Sequence, residues 1–505
     1  MKPICLVTVN VKKTLYGGTA DQLAAVAPNI PMGLLDSYLT LHDVPVEIID
    51  SEAEQLGIDE LIERLLAKDP PLVGVIASGA NPSASTMSMV GVIRFFEKFN
   101  ALKQKPFPIF VWGGHPTVLP ERTLRETGAD FIIVGEGYEA IADLYRHVTN
   151  GYPREAIAGL AYYDKDRFVL QPMPELISLD KLPAINWDKM NPAGYRAHNW
   201  HCFGDIDNRS PYAIIWTNQG CPYPCDFCCI NNVFGTRRFR NRPMKNVVAE
   251  IDRLVNDYGV RNVKILDELF AIKHPRIDEF CDLLEERNYD LNMWCFARTD
   301  SVTPEMLKRL KKVGVNWVAY GFESFDDDIL KSTNKRVKGN VLDTVKMTRD
   351  AGMNICADVI VGLWDDNEAT VRKTRNFMYD NRFEWINVYP CFAYPGTPLY
   401  DRYVAESIIE VPKKWDIYGL YSRECVPLPT KHLSSAQVLH LRDSIFEEYY
   451  KEPAILSMLE VKFGPATRKH VEEMVRMPLQ RRILEEGSQD LFRKSAVAGE
   501  SLAAT

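Results

Sequence analysis

The stretch "YAIIWTNQGCPYPCDFCC", residues 212 to 229, joins a strand-like apolar run to a loop that holds four cysteines. A short apolar run bounded by turn residues is typical of a buried strand. Five similar runs follow, "VKILDEL", "NMWCFAR", "WVAYGFES", "NICADVIVGL" and "WINVYPCFAYPG", with helical patterns such as "VVAEIDRLVNDYG" between them. Six βα units therefore fit between residues 211 and 400. That number predicts a partial (β/α)6 barrel, since a closed barrel needs eight units.

Residues 1 to 150 also alternate strands and helices. Their strand-like runs are "ICLVTVNV", "VPVEIID", "LVGVIASG", "PIFVWGG" and "DFIIVGEG". Five such strands separated by helices predict an α/β, flavodoxin-like, doubly wound domain. Ligands of these sheets bind at the carboxyl ends of the strands, where "SGANPS", "GGHPT" and "GEGYE" lie. No G-x-G-x-x-G opens the first helix, which disfavours a dinucleotide.

The remaining segments complete the predicted organisation. A Pro-rich linker with a small hairpin spans residues 151–210, and a helical domain spans 401–486. Residues 487–505 lack periodicity, which predicts a disordered tail. A chain of 505 residues with 46% apolar content can build two or three separate cores.

Charge and hydropathy exclude several classes of partner. The net charge is −8 and no long basic run occurs, so we expect no nucleic-acid partner. No apolar stretch reaches the roughly 18 residues of a membrane span. The first residues, "MKPICLVTVNV", lack the pattern of a signal peptide. We therefore expect a cytoplasmic protein with no transmembrane segment, and peripheral attachment to a membrane stays open.

The cysteines of the quoted loop need their own explanation. An odd total of 11 cysteines argues against a disulfide framework. Cys221, Cys225 and Cys228 have the spacing C-x3-C-x2-C, and three thiolates on one loop can hold three irons of a cubane cluster. A structural zinc site would want a fourth ligand, and adjacent Cys229 is poorly placed to supply it. A thioredoxin-like C-x-x-C at Cys225 and Cys228 leaves Cys221 unexplained. The seven other cysteines, which are scattered, are interpreted as buried hydrophobic residues.

This loop resembles the signature of the radical S-adenosylmethionine (SAM) superfamily. The resemblance implies a 4Fe-4S cluster on Cys221, Cys225 and Cys228. It implies that the amino and carboxylate groups of SAM chelate the open iron. It further implies that one electron cleaves SAM to a 5'-deoxyadenosyl radical, with a flavodoxin or ferredoxin as the electron donor.

Four later motifs resemble the SAM-binding segments of the same family. "ILDELF" resembles the end of the second barrel strand, where two acids contact the methionine amino group; the alternative is a helix N-cap with a first-turn acid. "CFARTD" offers a carboxylate partner, "YGFES" resembles the ribose-contacting motif, and "VIVGLWDD" resembles the turn beside adenine. The implied SAM contacts are Asp267, Glu268, Arg298, Glu323, Ser324 and Gly362.

The N-terminal region resembles the cobalamin-binding domain of class B radical SAM enzymes, on "GGHPT" and "GEG" above all. It lacks the D-x-H-x-x-G pattern that ligates cobalt, so we expect no histidine ligand on the lower face. We interpret His115 as a loop hydrogen-bonding residue. The alternative is a remnant domain that binds no cofactor. The implied cobalamin contacts are Ser78, Asn81, Gly113, Gly114, His115, Gly135, Glu136 and Gly137.

Together these resemblances imply a cobalamin-dependent radical SAM enzyme. The main hypothesis is a methyltransferase that acts at an unactivated carbon of a small-molecule or lipid-like substrate, through methylcobalamin and the adenosyl radical. A cyclase, rearrangement or oxidative enzyme without methyl transfer is the alternative. An iron–sulfur electron-transfer protein is a hypothesis of another class. Tyr418, Tyr421 and Cys425 are interpreted as packing residues, and the sequence does not name the substrate.

Overall fold

The computed structural model describes residues 1–12, 15, 24–79, 81–272 and 275–485. Its first sheet has seven strands in the order β2-β1-β3-β4-β5-β6-β7. The first five are parallel, and their order 2-1-3-4-5 is the flavodoxin-like one, which confirms the predicted fold class. These strands are β1 (Ile4–Thr8), β2 (Val46–Asp50), β3 (Val73–Ala77), β4 (Ile109–Gly113) and β5 (Phe131–Ile133).

Helices cover both faces of this sheet because strands β1, β3 and β4 are buried and apolar on both sides. Leu6 and Phe110 pack toward one group of helices, whereas Val7 and Val111 pack toward the other. The helices are α1 (Ile30–Leu41), α2 (Ile58–Lys68), α3 (Ala84–Asn100), α4 (Gly114–Val118), α5 (Pro120–Thr127) and α6 (Tyr138–Asn150).

The hairpin predicted after residue 150 belongs to the same sheet. Strands β6 (Leu160–Asp164) and β7 (Arg167–Leu170) add to β5 in antiparallel orientation. They cover an edge that would otherwise expose unpaired backbone groups. The sheet therefore runs past residue 150 into the segment expected to be a linker. A short helix, α7 (Trp187–Met190), follows.

The second sheet is the predicted partial barrel. Its six parallel strands stand in the order β8-β11-β12-β13-β14-β15, with no pairing between the first and the last. They are β8 (Tyr212–Ile215), β11 (Asn262–Ile265), β12 (Asn292–Ala297), β13 (Val315–Glu323), β14 (Asn354–Val361) and β15 (Trp385–Pro390). The helices between them are α8 (Met244–Tyr258), α9 (Pro275–Glu285), α10 (Pro304–Lys312), α11 (Asp327–Ser332), α12 (Val341–Asp350) and α13 (Glu368–Asn381). A two-stranded ribbon, β9 (Asn218–Gln219) with β10 (Arg240–Asn241), follows β8.

The C-terminal region is helical, as predicted. It contains α14 (Pro398–Ala405), α15 (Ser435–Lys451), α16 (Pro453–Phe463), α17 (Pro465–Val475) and α18 (Arg482–Glu485). Helix α15 covers the open edge strand β15. The backbone N–H of Ile386 donates to Tyr450 Oη (2.8 Å), and Arg442 Nε donates to the carbonyl of Val388 (2.6 Å). These bonds satisfy edge groups that a seventh strand would otherwise pair.

Two further points concern the ends and the hydropathy of the chain. The predicted disordered tail, residues 487–505, lies outside the described residues. Among the helices that the structure describes, none combines the length and the apolar character that a membrane crossing requires.

Candidate functional site

The cysteine loop is the excursion between β9 and β10 at the carboxyl end of β8. Gly220 begins it with φ +84°, and a Cβ there would lie 2.1 Å from the carbonyl oxygen of Arg238. Only glycine combines this φ with so close an approach. The loop therefore turns sharply out of the ribbon immediately before Cys221.

Polar contacts hold the loop against the barrel. The Asn231 side chain accepts from the backbone N–H of Cys221 (3.2 Å) and donates to its carbonyl (2.9 Å). The Asn334 side-chain amide donates to the Asp226 carboxylate (2.8 Å). The carbonyl of Asp226 accepts from the backbone N–H of Leu399 (3.1 Å). The Asn231 contacts thus fold the loop onto itself, and the two contacts of Asp226 fix it to residues that are distant in sequence.

The three thiols share this loop and are all free. Cys221 and Cys225 are partly buried, and Cys228 is open to the space beside the loop. Burial raises the pKa of the Cys221 and Cys225 thiols, so binding of a metal cluster would release protons. Within the described residues, no three His, Cys, Asp or Glu side chains converge as a finished metal site. Three free thiols on one anchored loop nevertheless fit the donor set of a three-cysteine cluster.

Asp267 and Glu268 differ in how their carboxylates are used. Asp267 Oδ1 accepts from the backbone N–H of Thr217 (2.6 Å), and Oδ2 accepts from Asn218 Nδ2 (2.6 Å) and Arg276 Nη2 (3.2 Å). It therefore ties the end of β8 to the end of β11. The following helix begins only at Pro275, so neither acid lies in its first turn. Of these two acids, both predicted to contact SAM, the geometry favours Glu268.

Glu268 lines a cavity of about 170 Å³ between the cysteine loop and the first sheet. It is partly open to that cavity but lies deep in the molecule, and this burial raises the pKa of its carboxyl to about 7. Lys264 opposes the rise through its positive charge. An ionised carboxyl in this position accepts hydrogen bonds on both oxygens, whereas a protonated one uses one oxygen as a donor.

Arg298 contacts the cysteine loop directly. Its guanidinium lies 3.8 Å from the centroid of the Tyr223 ring, between Cys221 and Cys225 in sequence. Nε and Nη2 donate to the two carboxylate oxygens of Asp300 (2.9 and 3.0 Å). This bidentate pair fixes the plane of the guanidinium, so Arg298 supports the loop in addition to any contact with SAM.

Glu323 ends β13 at a register shift and has φ +60°, unusual for a residue other than glycine. Lys335 Nζ donates to Glu323 Oε1 (2.5 Å) and to the carbonyl of Gly321 (2.6 Å). Backbone strain at a non-glycine residue tends to occur at functional sites. The ion pair keeps this carboxylate at the carboxyl end of the barrel, where the family resemblance implies the SAM ribose.

Ser324 and Gly362 contact helices of the barrel's outer layer. Ser324 Oγ accepts from the backbone N–H of Asp326 (3.2 Å) and lies 3.4 Å from Thr374 Oγ1 on α13. A Cβ at Gly362 would lie 2.5 Å from Val438 on α15. Both residues thus have packing or turn roles that explain their identity without a cofactor.

In the first sheet, the predicted cobalamin residues gather at the carboxyl strand ends. Gly113, with φ +152°, lies against β3, since a Cβ there would be 2.0 Å from the carbonyl oxygen of Ala77. Asn81 Oδ1 accepts from the backbone N–H of Ala84 (3.2 Å), and the Ser78 carbonyl accepts from Asn29 Nδ2 (3.1 Å). The residues of this group that line the 170 Å³ cavity are Ser78, Asn81, Gly113, Gly114, His115 and Glu136.

Gly135, Glu136 and Gly137 connect this sheet to the cysteine loop. Arg240 of β10 donates to Glu136 Oε1 (2.5 Å) and to Gln219 of β9 (2.9 Å). The other Glu136 oxygen accepts from the backbone N–H of Ile177 (2.9 Å). Gly135 and Gly137 have φ +84° and +75°, which favour glycine, and a Cβ at Gly137 would also lie 2.7 Å from Trp112.

His115 is buried in the second half of the "GGHPT" motif. Its backbone N–H donates to Ser85 Oγ (2.8 Å), Nδ1 lies 3.3 Å from Thr86 Oγ1, and Trp415 packs edge-on at 4.3 Å. Burial lowers the pKa of its imidazole to about 3, so the ring is neutral. His115 lies in the short helix α4 and not in the predicted loop, while its backbone N–H and Nδ1 make the contacts of a hydrogen-bonding residue.

A larger cavity, of about 920 Å³, lies beside the first and is lined by the same turn, through Ser78, Gly79 and Asn81. It continues from the strand ends of the first sheet into the barrel. Tyr418 and Tyr421 line it, whereas Cys425 is fully buried in the core. Clefts of several hundred cubic ångströms are typical of cofactor and substrate sites.

Sequence reasoning missed a group of charged residues inside the barrel. Lys264 is buried over the rings of Trp294 (4.8 Å) and Phe296 (5.4 Å), and burial lowers its pKa to about 8. Asp358 on β14 accepts from Asn387 Nδ2 on β15 (2.8 Å), and burial raises the pKa of its carboxyl to about 7. The sequence does contain a signal for these residues, since "VKIL" and "CADVIV" each place one charged residue within an apolar strand.

Comparisons with protein families agree with this geometry. A model described as the Radical SAM superfamily matches residues 217–378, which include the cysteine loop. A model described as a B12 binding domain matches residues 18–145, which include the glycine-rich strand ends. The chain thus combines a B12 binding domain with a radical SAM domain.

Named relatives of this radical SAM enzyme include both methyltransferases and cyclases. It is 25% identical to an uncharacterized methyltransferase of Pyrococcus horikoshii over 84% of this chain and 89% of the relative. It is 27% identical to an anaerobic magnesium-protoporphyrin IX monomethyl ester cyclase of Cereibacter sphaeroides over 70% of this chain and 56% of the relative. Its fold matches a solved radical SAM methyltransferase, TsrM of Kitasatospora setae, with cobalamin and a 4Fe-4S cluster bound (TM-score 0.65, 15% identity, 94% of this chain and 98% of that chain).

The cofactors of this cobalamin-binding radical SAM enzyme are a 4Fe-4S cluster, SAM and cobalamin. The described residues fit them in kind, since three free thiols lie on one loop and a partly open carboxylate lies beside it. The 170 Å³ cavity at the glycine-rich strand ends suits the edge of a flat cofactor.

Proposed function

We propose that this cobalamin-binding radical SAM enzyme is a methyltransferase that acts at an unactivated carbon of a small organic substrate. The observation that carries the proposal is the shared cavity: Cys229 and Glu268 on one side face Gly113 and Gly114 on the other. A methyl group and a radical can meet on one substrate only if their sources face the same space. The Pyrococcus horikoshii relative and TsrM are both named as methyltransferases, which supports methyl transfer.

The bound cofactors would supply a carbon-centred radical and a transferable methyl group. The residues proposed to hold the cluster are Cys221, Cys225 and Cys228, with Cys229 beside them. Glu268 is proposed to orient the amino group of SAM, with Glu323 and Arg298 at the neighbouring strand ends. The aromatic walls of the large cavity would exclude water from the substrate radical.

The second candidate is a cyclase or oxidative enzyme without methyl transfer. The Cereibacter sphaeroides cyclase favours it, because that relative aligns with 70% of this chain. The two candidates differ in the fate of the SAM methyl group. Only a methyltransferase converts SAM into S-adenosylhomocysteine in addition to deoxyadenosine.

The test is anaerobic reconstitution with iron, sulfide and cobalamin, followed by reduction and addition of SAM with a labelled methyl group. We expect label on the protein-bound corrinoid and an equivalent amount of S-adenosylhomocysteine. Deoxyadenosine without either product would contradict methyl transfer and support the cyclase alternative.

The cluster assignment is tested by a matched pair of cysteine variants. Cys225→Ala should lose the cluster, because two remaining thiolates hold too few irons. Cys229→Ala should keep it, because we place Cys229 outside the ligand set. Iron analysis and the cluster absorbance measure both. A cluster that survives Cys225→Ala, or is lost in Cys229→Ala, would show that the ligand assignment is wrong.

A further inference from the structure

The barrel interior contains a slot whose residues have no role in binding the cluster or SAM as described above. Strand pairing places Phe296, Ala319, Cys356 and Trp385 at one level across β12, β13, β14 and β15. The outer two positions are aromatic and the middle two are small. The 920 Å³ cavity reaches this level, where Phe296, Ala319 and Trp385 line it.

A second aromatic layer closes the slot from below. Trp200 contacts Trp294 at 5.0 Å between ring centroids with the planes at 66°, and contacts Trp385 at 6.3 Å with the planes at 20°. The three indoles thus form a floor and two walls. Trp200 belongs to a segment between the two sheets, so the floor comes from outside the barrel strands.

The orientation of the Trp385 wall is set by hydrogen bonds. Trp385 Nε1 donates to Asn387 Oδ1 (2.8 Å), and Asn387 Nδ2 donates to Asp358 Oδ1 (2.8 Å). Trp385 is 4% exposed, which leaves its ring little freedom to fill the space beside it. A wall held in this way is prearranged for a ligand instead of collapsing into the cavity.

We infer that this slot is the substrate subsite and that it takes a flat aromatic or conjugated ring system, stacked between the β12 and β15 aromatic residues. The inference deepens the proposed function and rests on it, since it names the class of molecule that would be methylated. Aromatic rings prefer offset-stacked or edge-on partners, which Trp294, Phe296 and Trp385 offer on two sides. The cavity also extends to α15 and to residues 474–479, where His440, Ser444 and Met477 line a route for entry.

The test measures binding of two ketones that share an acetyl group but differ in shape. The probes are 2-acetylnaphthalene, which is planar, and 1-acetyladamantane, which is a cage. We use equilibrium dialysis against the reconstituted holoenzyme. The planar probe should bind at least tenfold more tightly than the cage, because only the flat ring can contact both aromatic walls.

Two variants locate the binding. Ala319→Leu fills the middle of the slot and should weaken the planar probe about tenfold, because the added side chain takes the space that the ring would occupy. Trp385→Leu removes one wall and should weaken it similarly, so the inference stays testable if one variant does not fold. Trp364→Leu is the matched control, since Trp364 lies against Tyr403 outside the cavity and should leave binding unchanged.

Three results would overturn the inference: no binding of the planar probe, equal binding of the cage, or unchanged binding in the folded slot variants. The SAM-induced change in the cluster's electron paramagnetic resonance spectrum is recorded on the same samples. If that change is present while dialysis gives an overturning result, only the slot inference fails. If that change is absent, the proposed function fails, and dialysis still decides whether the slot selects flat rings.

Discussion

At the scale of single residues, two neighbouring carboxylates show how surroundings assign roles. Asp267 is 2% exposed and bonded to two segments of the barrel, whereas Glu268 opens onto the cavity. An ionised group that is fully hydrogen-bonded stabilises the fold and has little capacity left for a ligand. Glu268, the next residue, keeps its capacity to accept hydrogen bonds from a ligand.

A pair of amide substitutions separates these roles. Asp267→Asn removes the charge that faces buried Arg276 and should lower the free energy of unfolding by about 3–5 kcal/mol. Glu268→Gln should cost less stability but weaken SAM binding about tenfold or more, as expected for a hydrogen bond to a charged group. Thermal unfolding and a SAM titration measure the two effects. Unchanged SAM affinity in Glu268→Gln would argue against its proposed contact.

Asp358 predicts a specific pH dependence of stability. Burial raises the pKa of its carboxyl from an ordinary 3.8 to about 7, so the folded protein holds a proton there that the unfolded chain releases. The free energy of unfolding should therefore fall as pH rises from about 4 to about 7, by up to about 1.4 kcal/mol per unit. Asp358→Asn should remove this contribution. Chemical denaturation at pH 5 and pH 8 should show the variant gaining stability relative to the wild type at the higher pH; an equal difference at both would contradict the assignment.

At the scale of elements, the β9–β10 ribbon is the mechanical support of the cysteine loop. Arg240 joins it to Glu136 in the first sheet, Asp226 joins the cysteine loop to Asn334 of the barrel, and Asn232 donates to the carbonyl of Pro395. A loop tied at three points moves less than a free one, since each tie removes conformations from it. The ribbon therefore fixes the position of the cysteine loop relative to the first sheet.

The ribbon's ion pair is tested with a neighbouring arginine as control. Arg240→Ala should cost about 2 kcal/mol, because charge-assisted hydrogen bonds to Glu136 and Gln219 are lost together. Arg237→Ala, at an exposed position of the same loop, should be close to neutral. Hydrogen exchange over residues 218–241 should rise in the first variant alone. Equal exchange in both would mean that the ion pair does not restrain the loop.

At the scale of the whole molecule, the C-terminal region joins the two sheets from outside. Trp415 is buried on the first domain, with the Arg122 guanidinium 4.2 Å from its ring centroid and its Nε1 donating to Glu126 (2.8 Å). Tyr418, one turn later, donates to the carbonyl of Ala393 beyond β15 (2.8 Å). This segment, residues 406–431, thus spans the cavity from the first sheet to the barrel.

Removing the Trp415 side chain should weaken the contacts between the two sheets more than the packing within either of them. Trp415→Ala deletes a fully buried indole and should cost about 3–5 kcal/mol. Because the lost contacts join the two sheets, we expect the thermal transition to broaden or split. Calorimetry checks this, with the partly exposed Trp364→Ala as the control. A single transition of unchanged sharpness would contradict the bridging role.

Local patterns in the sequence predicted the fold class, the family and the cofactor classes. Strand and helix periodicity predicted both parallel sheets, because an apolar strand between two layers of helices leaves a short, continuous signal. The C-x3-C-x2-C spacing predicted a cluster loop, since its three thiols lie close along the chain. The sequence predicts the hairpin at residues 160–170 but not its place in the first sheet, because strand pairing is not local.

The tertiary structure alone decided which residues support the site and which face it. Asp267 and Glu268 are adjacent in sequence, yet the partners that distinguish them come from β8 and from α9. Glu136 is paired through Arg240, about a hundred residues away, and the aromatic slot is assembled from four strands and a connecting segment. Such contacts depend on how distant segments pack, because the energy of a buried charge or ring is set by the neighbours that folding gives it. The sequence by itself therefore determined the kind of enzyme, and only the packed molecule decided the surroundings of each group.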